Sequence, residues 1–284
     1  MKNPISFISN FLVLHFVVDG NFVYNDDGSE CAPKATGFLY RKNEEIYLVT
    51  NLHVVSGRDI FTKQCLNKMG ALPRRITFAP SVIKQNGQVT KPIILDIPLY
   101  DNQNHPLWLV HPQFRRDVDI AAIPVKIDNS NILSNEDNYY CINDVSFIND
   151  LLLEITDDVF VVGYPYGKCS TFTTDFPIPI WKRASIASEL DISYFWDERP
   201  VFLVDTTTKV GMSGSPVIGM PKGVIRSVDG SISLSTGSFS MQLLGIYSGR
   251  IDPEQKEDSC LGLVWKKELI DEIIDTGIQD EIYE

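Results

Sequence analysis

An all-β fold, an antiparallel sandwich or barrel, is what this sequence predicts, and three observations carry it. Short runs rich in β-branched and aromatic residues recur along the whole chain. Turn-forming residues separate them at close intervals. A single stretch has apolar residues at helical spacing: residues 266–276, where Leu269, Ile270, Ile273 and Ile274 form one stripe and Gly277 supplies a stop.

In chain order, residues 11–18 read as a buried strand after a short lead-in. Residues 36–40 and 46–50, joined by the polar 41–45, read as a hairpin. Further strands are expected at 75–78, 93–97, 107–110 and 119–125. Between 126 and 144 the chain turns polar, with Asn129-Ser130-Asn131 and Asn135-Glu136-Asp137-Asn138, and this is the expected connector between two halves. The halves are placed at 1–135 and 136–284. In the second, strands are expected at 159–163, 201–205, 216–218, 240–247 and 261–265, before the helix.

Composition narrows the functional classes. A net charge of −12 over 284 residues argues against a general nucleic-acid binder, which needs a basic face. The acids crowd toward the end, at Glu268, Asp271, Glu272, Asp275, Asp280, Glu281 and Glu284, and read as a solvated helix face and tail, or as a docking tail for a basic partner. The five cysteines, an odd number without close pairs, form neither a disulfide framework nor a zinc motif. A reducing, cytoplasmic setting follows as the simplest expectation. The apolar run at 5–18 is interrupted by Ser9, Asn10 and His15 and lacks a small-residue cleavage site, so it is read as structure in preference to a secretory signal. It is too short to span a bilayer.

The most informative segment is Gly211-Met212-Ser213-Gly214-Ser215-Pro216. A serine between glycines suits a tight turn that exposes a nucleophilic hydroxyl and lets a carbonyl approach the main chain. The N–H groups of Gly211 and Ser213 could then face a developing oxyanion. The four histidines, His15, His53, His105 and His111, all precede Ser213, which excludes the serine–acid–histidine order of α/β-hydrolases. His53 stands where an apolar strand ends and a turn begins. Asp119 enters an apolar strand, where a carboxylate needs a partner such as an imidazole N–H. Asp117, two residues earlier, would share its face, so spacing alone does not separate the two.

The order His53, Asp119, Ser213 resembles that of chymotrypsin-like serine proteases, and the local wording resembles their bacterial trypsin-like, Deg/Htr-type branch. Thr36-Gly37-Phe38-Leu39, Leu48-Val49-Thr50-Asn51-Leu52-His53-Val54-Val55, Asp119-Ile120-Ala121, Gly163-Tyr164-Pro165-Tyr166-Gly167 and Gly245-Ile246-Tyr247-Ser248-Gly249 run in the family's order. The resemblance implies two six-stranded antiparallel β-barrels with a C-terminal helix, the first carrying His53 and Asp119 and the second Ser213. It favours Asp119 over Asp117. It implies a serine endopeptidase acting through an acyl-enzyme, with Ser213 as nucleophile, His53 as base and Asp119 as orienting acid. Gly211 and Ser213 would form the oxyanion hole. No metal or organic cofactor is implied, and no room for an appended PDZ domain is expected. The partners implied are a protein or peptide substrate and an activating partner or oligomer.

Three positions depart from the family. Met212 stands where digestive enzymes carry the aspartate that receives a newly cut N-terminus, Ser215 replaces a glycine, and Leu52 replaces a small residue. Activation by N-terminal cleavage is therefore not expected. By resemblance the primary pocket is lined by Thr207, Thr208, Tyr247, Ser248, Gly249 and Gly262. None is acidic, which argues against a preference for lysine or arginine. Arg250, just beyond, could attract acidic side chains or simply hold a loop. A non-catalytic peptide-binding module on the same fold and a small-ester or amide hydrolase are the alternatives.

Overall fold

A computed structural model describes residues 12–18, 34–67, 70, 72–80, 82–84, 94–125, 137–139, 141–144, 151–167, 179–192, 199–221, 223–234, 241–250 and 260–283. The lead-in before Leu12, Cys31, Cys169, Glu284 and the connector at 126–136 lie outside these residues.

The first half is built on β1 (Leu12–Val18), β2 (Lys34–Lys42), β3 (Glu45–Thr50), β4 (Pro73–Phe78), β5 (Val82–Lys84), β6 (Leu95–Pro98) and β7 (Ala121–Pro124). Six of these form one antiparallel sheet in the order β6-β4-β1-β2-β3-β7. Its edges are linked by the segment expected as a strand at 107–110, which instead makes isolated bridges: the Leu107 N–H donates to the Leu99 carbonyl at 2.9 Å, and Leu109 pairs with Ala122. The short strand β8 (Asp137–Tyr139) pairs with β5.

The second half comprises β9 (Asp158–Gly163), β10 (Ile180–Ile186), β11 (Val201–Asp205), β12 (Ser215–Gly219), β13 (Val224–Arg226), β14 (Ile232–Leu234), β15 (Gln242–Arg250) and β16 (Leu261–Lys266). β10-β11-β16-β15-β12-β9 is a closed barrel, and β13 and β14 form a separate hairpin.

The alternation of side chains along a strand explains why so many strands read as continuous apolar runs: both faces are buried. In β3, Ile46 and Leu48 fill the first core, while Tyr47 and Val49 face a layer between the halves. In β11, Phe202 and Val204 fill the second core, and Val201 and Leu203 turn to the same shared layer. Facing residues from both halves therefore meet in one apolar layer.

Among the described residues, two α-helices complete the fold. α1 (Leu52–Ser56) follows β3 directly, where the sequence suggested only a turn. α2 (Glu268–Thr276) starts two residues later than the periodicity predicts and ends at Gly277, whose φ of 59° is left-handed. Its stripe of Leu269, Ile270, Ile273 and Ile274 packs into the shared layer rather than against the second barrel alone.

The acids of this region are not merely solvated. Asp271 and Asp275 each pair with Lys42 at 2.7 Å. Glu272 meets His111 at 2.8 Å. The buried Asp280 accepts from the Trp108 indole at 3.0 Å and from Arg116 at 2.9 Å, and the Tyr283 ring lies 3.6 Å under the Arg116 guanidinium. The C-terminal segment thus straps the first half of the chain to the second.

Candidate active site

His53 owes its position to the change from β3 to α1. Asn51 occupies the cap position of that helix with an extended backbone, yet its side chain does not cap. The capping duty falls to Asp119, whose Oδ1 accepts the His53 backbone N–H at 2.8 Å. The other oxygen, Oδ2, meets His53 Nδ1 at 2.7 Å. One carboxylate thereby fixes both the main chain and the ring of the histidine. Gly57 closes the short helix with a left-handed φ of 65°, and its N–H returns to the His53 carbonyl at 3.0 Å.

Asp119 is fully buried just before β7 and takes a third donor, the Ser248 hydroxyl. Such a carboxylate is held by donors on every side, which offsets the cost of removing it from water. Asp117 is separated from it plainly: its side chain is half-exposed and pairs with Lys63 at 3.1 Å and Arg199 at 3.3 Å. Burial on its own pushes the His53 imidazole down. The charge of Asp119 and its hydrogen bond outweigh that effect, with a smaller contribution from Asp59, so the pKa rises above its ordinary value.

Ser213 lies on the turn between β11 and β12, partly exposed. Its hydroxyl donates to the Ser248 carbonyl at 3.4 Å and makes no hydrogen bond to His53. Ser248 therefore touches both ends of the site, with its carbonyl at Ser213 and its hydroxyl at Asp119. Gly211 has a φ of 97° and Gly214 a φ of 82°, left-handed values that favour glycine. At Gly214 a methyl group would also sit 2.0 Å from the Thr36 carbonyl oxygen. Among the described residues, the N–H groups of Gly211 and Ser213 have no hydrogen-bond acceptor.

Two residues that sequence reasoning passed over hold this turn against the first half. Thr36, at the start of β2, donates its N–H to the Ser213 carbonyl at 2.9 Å and its hydroxyl to the Gly211 carbonyl at 2.8 Å. The same hydroxyl accepts the Tyr164 N–H at 3.1 Å. Asn51 donates to the Asp119 carbonyl at 2.7 Å and accepts the Gly214 N–H. Both residues are fully buried. A signal for Asn51 was present, since a polar side chain inside a run as apolar as 46–55 must find partners.

The departures from the family have structural counterparts. Met212 is buried in the second core beside Val217 and Tyr247, so an apolar side chain anchors the turn. Ser215 heads β12, buried, with its hydroxyl against Gly163, where a methyl group would come within 2.1 Å of it. Of the expected pocket residues, Thr207 is exposed and Thr208 buried. Tyr247 and Gly262 are buried and in contact. Ser248 and Gly249 are half-buried, and Arg250 is exposed. His105 is exposed and bound to Asp101, while the buried His111 accepts backbone N–H groups of Gln113 and Phe114 and bonds to Glu272. Among the described cysteines, Cys65, Cys141 and Cys260 are thiols, and burial pushes Cys141 up to about 12.

The structure is similar to the active form of the Rv3671c protease from M. tuberculosis, at 15% identity and a TM-score of 0.46 over 99% of this chain and 88% of that one. It is similar to the MamO protease domain from Magnetospirillum magneticum, at 13% identity and a TM-score of 0.40 over 96% and 98% of the two chains. It is also similar to the scabies mite inactivated protease paralogue S-I1, at 13% identity and a TM-score of 0.45 over 97% and 98%. No curated protein sequence matches it. Residues 35–225, most of the chain and a stretch that includes His53, Asp119 and Ser213, match the family described as the trypsin-like peptidase domain. The chain is a member of the trypsin-like peptidase domain family.

Proposed function

We propose that the protein is a serine endopeptidase that cleaves protein substrates through an acyl-enzyme, with His53, Asp119 and Ser213 as its catalytic residues. The observation that carries this reading is the buried Asp119 carboxylate bonded to both the ring and the backbone of His53. That arrangement keeps the proton on Nδ1 and leaves Nε2 as the basic nitrogen.

A serine hydroxyl is a weak nucleophile until a base takes its proton. In the proposed reaction Ser213 Oγ attacks the substrate carbonyl while His53 Nε2 accepts the proton. Asp119 stabilises the imidazolium that results. The free N–H groups of Gly211 and Ser213 receive the negative charge on the carbonyl oxygen, where such donors act most strongly. The imidazolium then protonates the departing amine, and a water molecule, activated by the same nitrogen, releases the acyl group. Ser213 turns toward the Ser248 carbonyl in the free protein, and substrate binding brings it to His53, as is common for sites that tighten around substrate.

The substrate would lie as an added strand along residues 248–250. Met212, buried in the second core, supports a turn that forms without a cut N-terminus. Comparing wild type with Ser213→Ala on an unfolded protein substrate tests the reading. Processing by wild type alone supports it, and equal processing by both contradicts it. Cytoplasmic residence is proposed from the cysteine pattern. Recovery of the cellular protein with Met1 intact supports that location, and loss of about the first twenty residues, the size of a secretory signal, contradicts it.

A further inference from the structure

The space where a substrate side chain would be recognised is already filled. Tyr247 is 1% exposed, and its hydroxyl shares a hydrogen bond with Thr208 Oγ1. The ring lies against Gly262 so closely that a methyl group there would come within 2.5 Å of Tyr247 Cε2. Gly262 therefore opens no room for a ligand, because its missing side chain accommodates the tyrosine. Val204 and Thr206 close the far side, at 3.2 and 3.3 Å from the same point. The strand register holds the ring in place, since Tyr247 pairs with Ser215 on β12 and with Val264 on β16.

The same register shows where a peptide would enter. β12 begins at Ser215, opposite Tyr247, whereas β15 continues through Ser248 and Gly249 to Arg250. Beyond Tyr247, the edge of β15 facing Ser213 has no paired strand among the described residues. A peptide added to that edge presents its carbonyl to Ser213. The side chain before the scissile bond then turns toward Thr208, Tyr247 and Gly262.

We propose that Tyr247 sets specificity as a stopper of this pocket, so that only a small side chain, such as that of alanine, serine or valine, is accepted before the scissile bond. The inference rests on the peptidase reading above. It differs from a preference set by Arg250, which is exposed at the outer end of β15, beyond the stopper.

Peptidyl diphenyl phosphonates that differ only at this residue test it. Alanine and valine probes are expected to label Ser213 at least about tenfold faster than phenylalanine, lysine or glutamate probes, a discrimination a closed pocket readily gives. In Tyr247→Val the phenylalanine probe should gain at least about tenfold relative to the alanine probe. A wild-type protein that takes phenylalanine, lysine or glutamate as fast as alanine overturns the inference, and this profile decides alone if the variant does not fold. An alkyl fluorophosphonate has no such side chain. Its failure to label Ser213 contradicts the peptidase reading itself, whereas labelling by it without any preference for small probes contradicts only the stopper.

Discussion

Asn51 is hydrogen-bonded to Gly214 across the boundary between the two halves, its side-chain oxygen accepting the glycine N–H while its nitrogen donates to the Asp119 carbonyl at 2.7 Å. The residue two before His53 thus holds the residue one after Ser213. A side chain that could have capped α1 instead registers the two halves of the site. Asn51→Leu removes both hydrogen bonds from a fully buried position. It should cost about 1–3 kcal/mol in denaturant unfolding. Fluorophosphonate labelling should slow by about tenfold or more, as the serine and histidine lose their common anchor. Unchanged stability and labelling would show that the amide does not set the register.

Thr36 holds the other side of the turn, through the carbonyls of Ser213 and Gly211. These contacts fix the backbone around the two proposed oxyanion donors. Thr36→Val keeps the shape and the strand backbone but removes the hydroxyl shared by Gly211 and Tyr164. The expected result is about 1–3 kcal/mol lower stability, from unpairing buried groups. Peptide turnover should fall by about tenfold or more, with the loss in kcat rather than KM, since the donors act in the transition state. A loss confined to KM would contradict this role.

The pH dependence follows from His53. Burial lowers its pKa, and the charge and hydrogen bond of Asp119 more than reverse this, leaving the midpoint above 6.5. In the proposed mechanism the base must be neutral, so the labelling rate should rise with pH through a midpoint above 6.5 and fall below it. Asp119→Asn removes the charge and leaves burial in control, which moves the midpoint down and reduces the rate by about 10⁴-fold, as removal of the triad acid does in the chymotrypsin family. A wild-type profile with its midpoint below 6.5 would contradict the electrostatic account.

The C-terminal strap makes a stability prediction. Asp280, 7% exposed, joins the Trp108 indole to Arg116. Asp280→Ala leaves both donors without this acceptor and should destabilise the protein by about 2–3 kcal/mol in denaturant unfolding. An effect below about 0.5 kcal/mol, the range of ordinary surface changes, would show that the tail is not structurally coupled.

Much of the barrel architecture was legible because apolar runs with turn residues between them are a direct consequence of strands buried on both faces. The candidate residues His53, Asp119 and Ser213 stand out in the sequence because their flanking residues are confined to a few shapes, among them the glycines at 211 and 214 with positive φ. Three things were not. The hairpin of β13 and β14 exposes Val224, Ile232 and Leu234, so it lacks the alternation that burial imprints. The acids of α2 and of the tail after it gave only a composition, and their partners Lys42, His111 and Arg116 lie more than 150 positions away in sequence. The roles of Thr36 and Asn51 arise from hydrogen bonds between the two halves, which local sequence does not encode.

The central claim, that Ser213 is a nucleophile activated by His53 and Asp119, is tested most directly by reaction with an alkyl fluorophosphonate followed by mass-spectrometric mapping of the modified residue. The account predicts one adduct per chain, on Ser213, that disappears in Ser213→Ala and is strongly slowed in Asp119→Asn. Absence of an adduct on Ser213 in the folded protein, or an adduct whose rate is unchanged in Asp119→Asn, would contradict it.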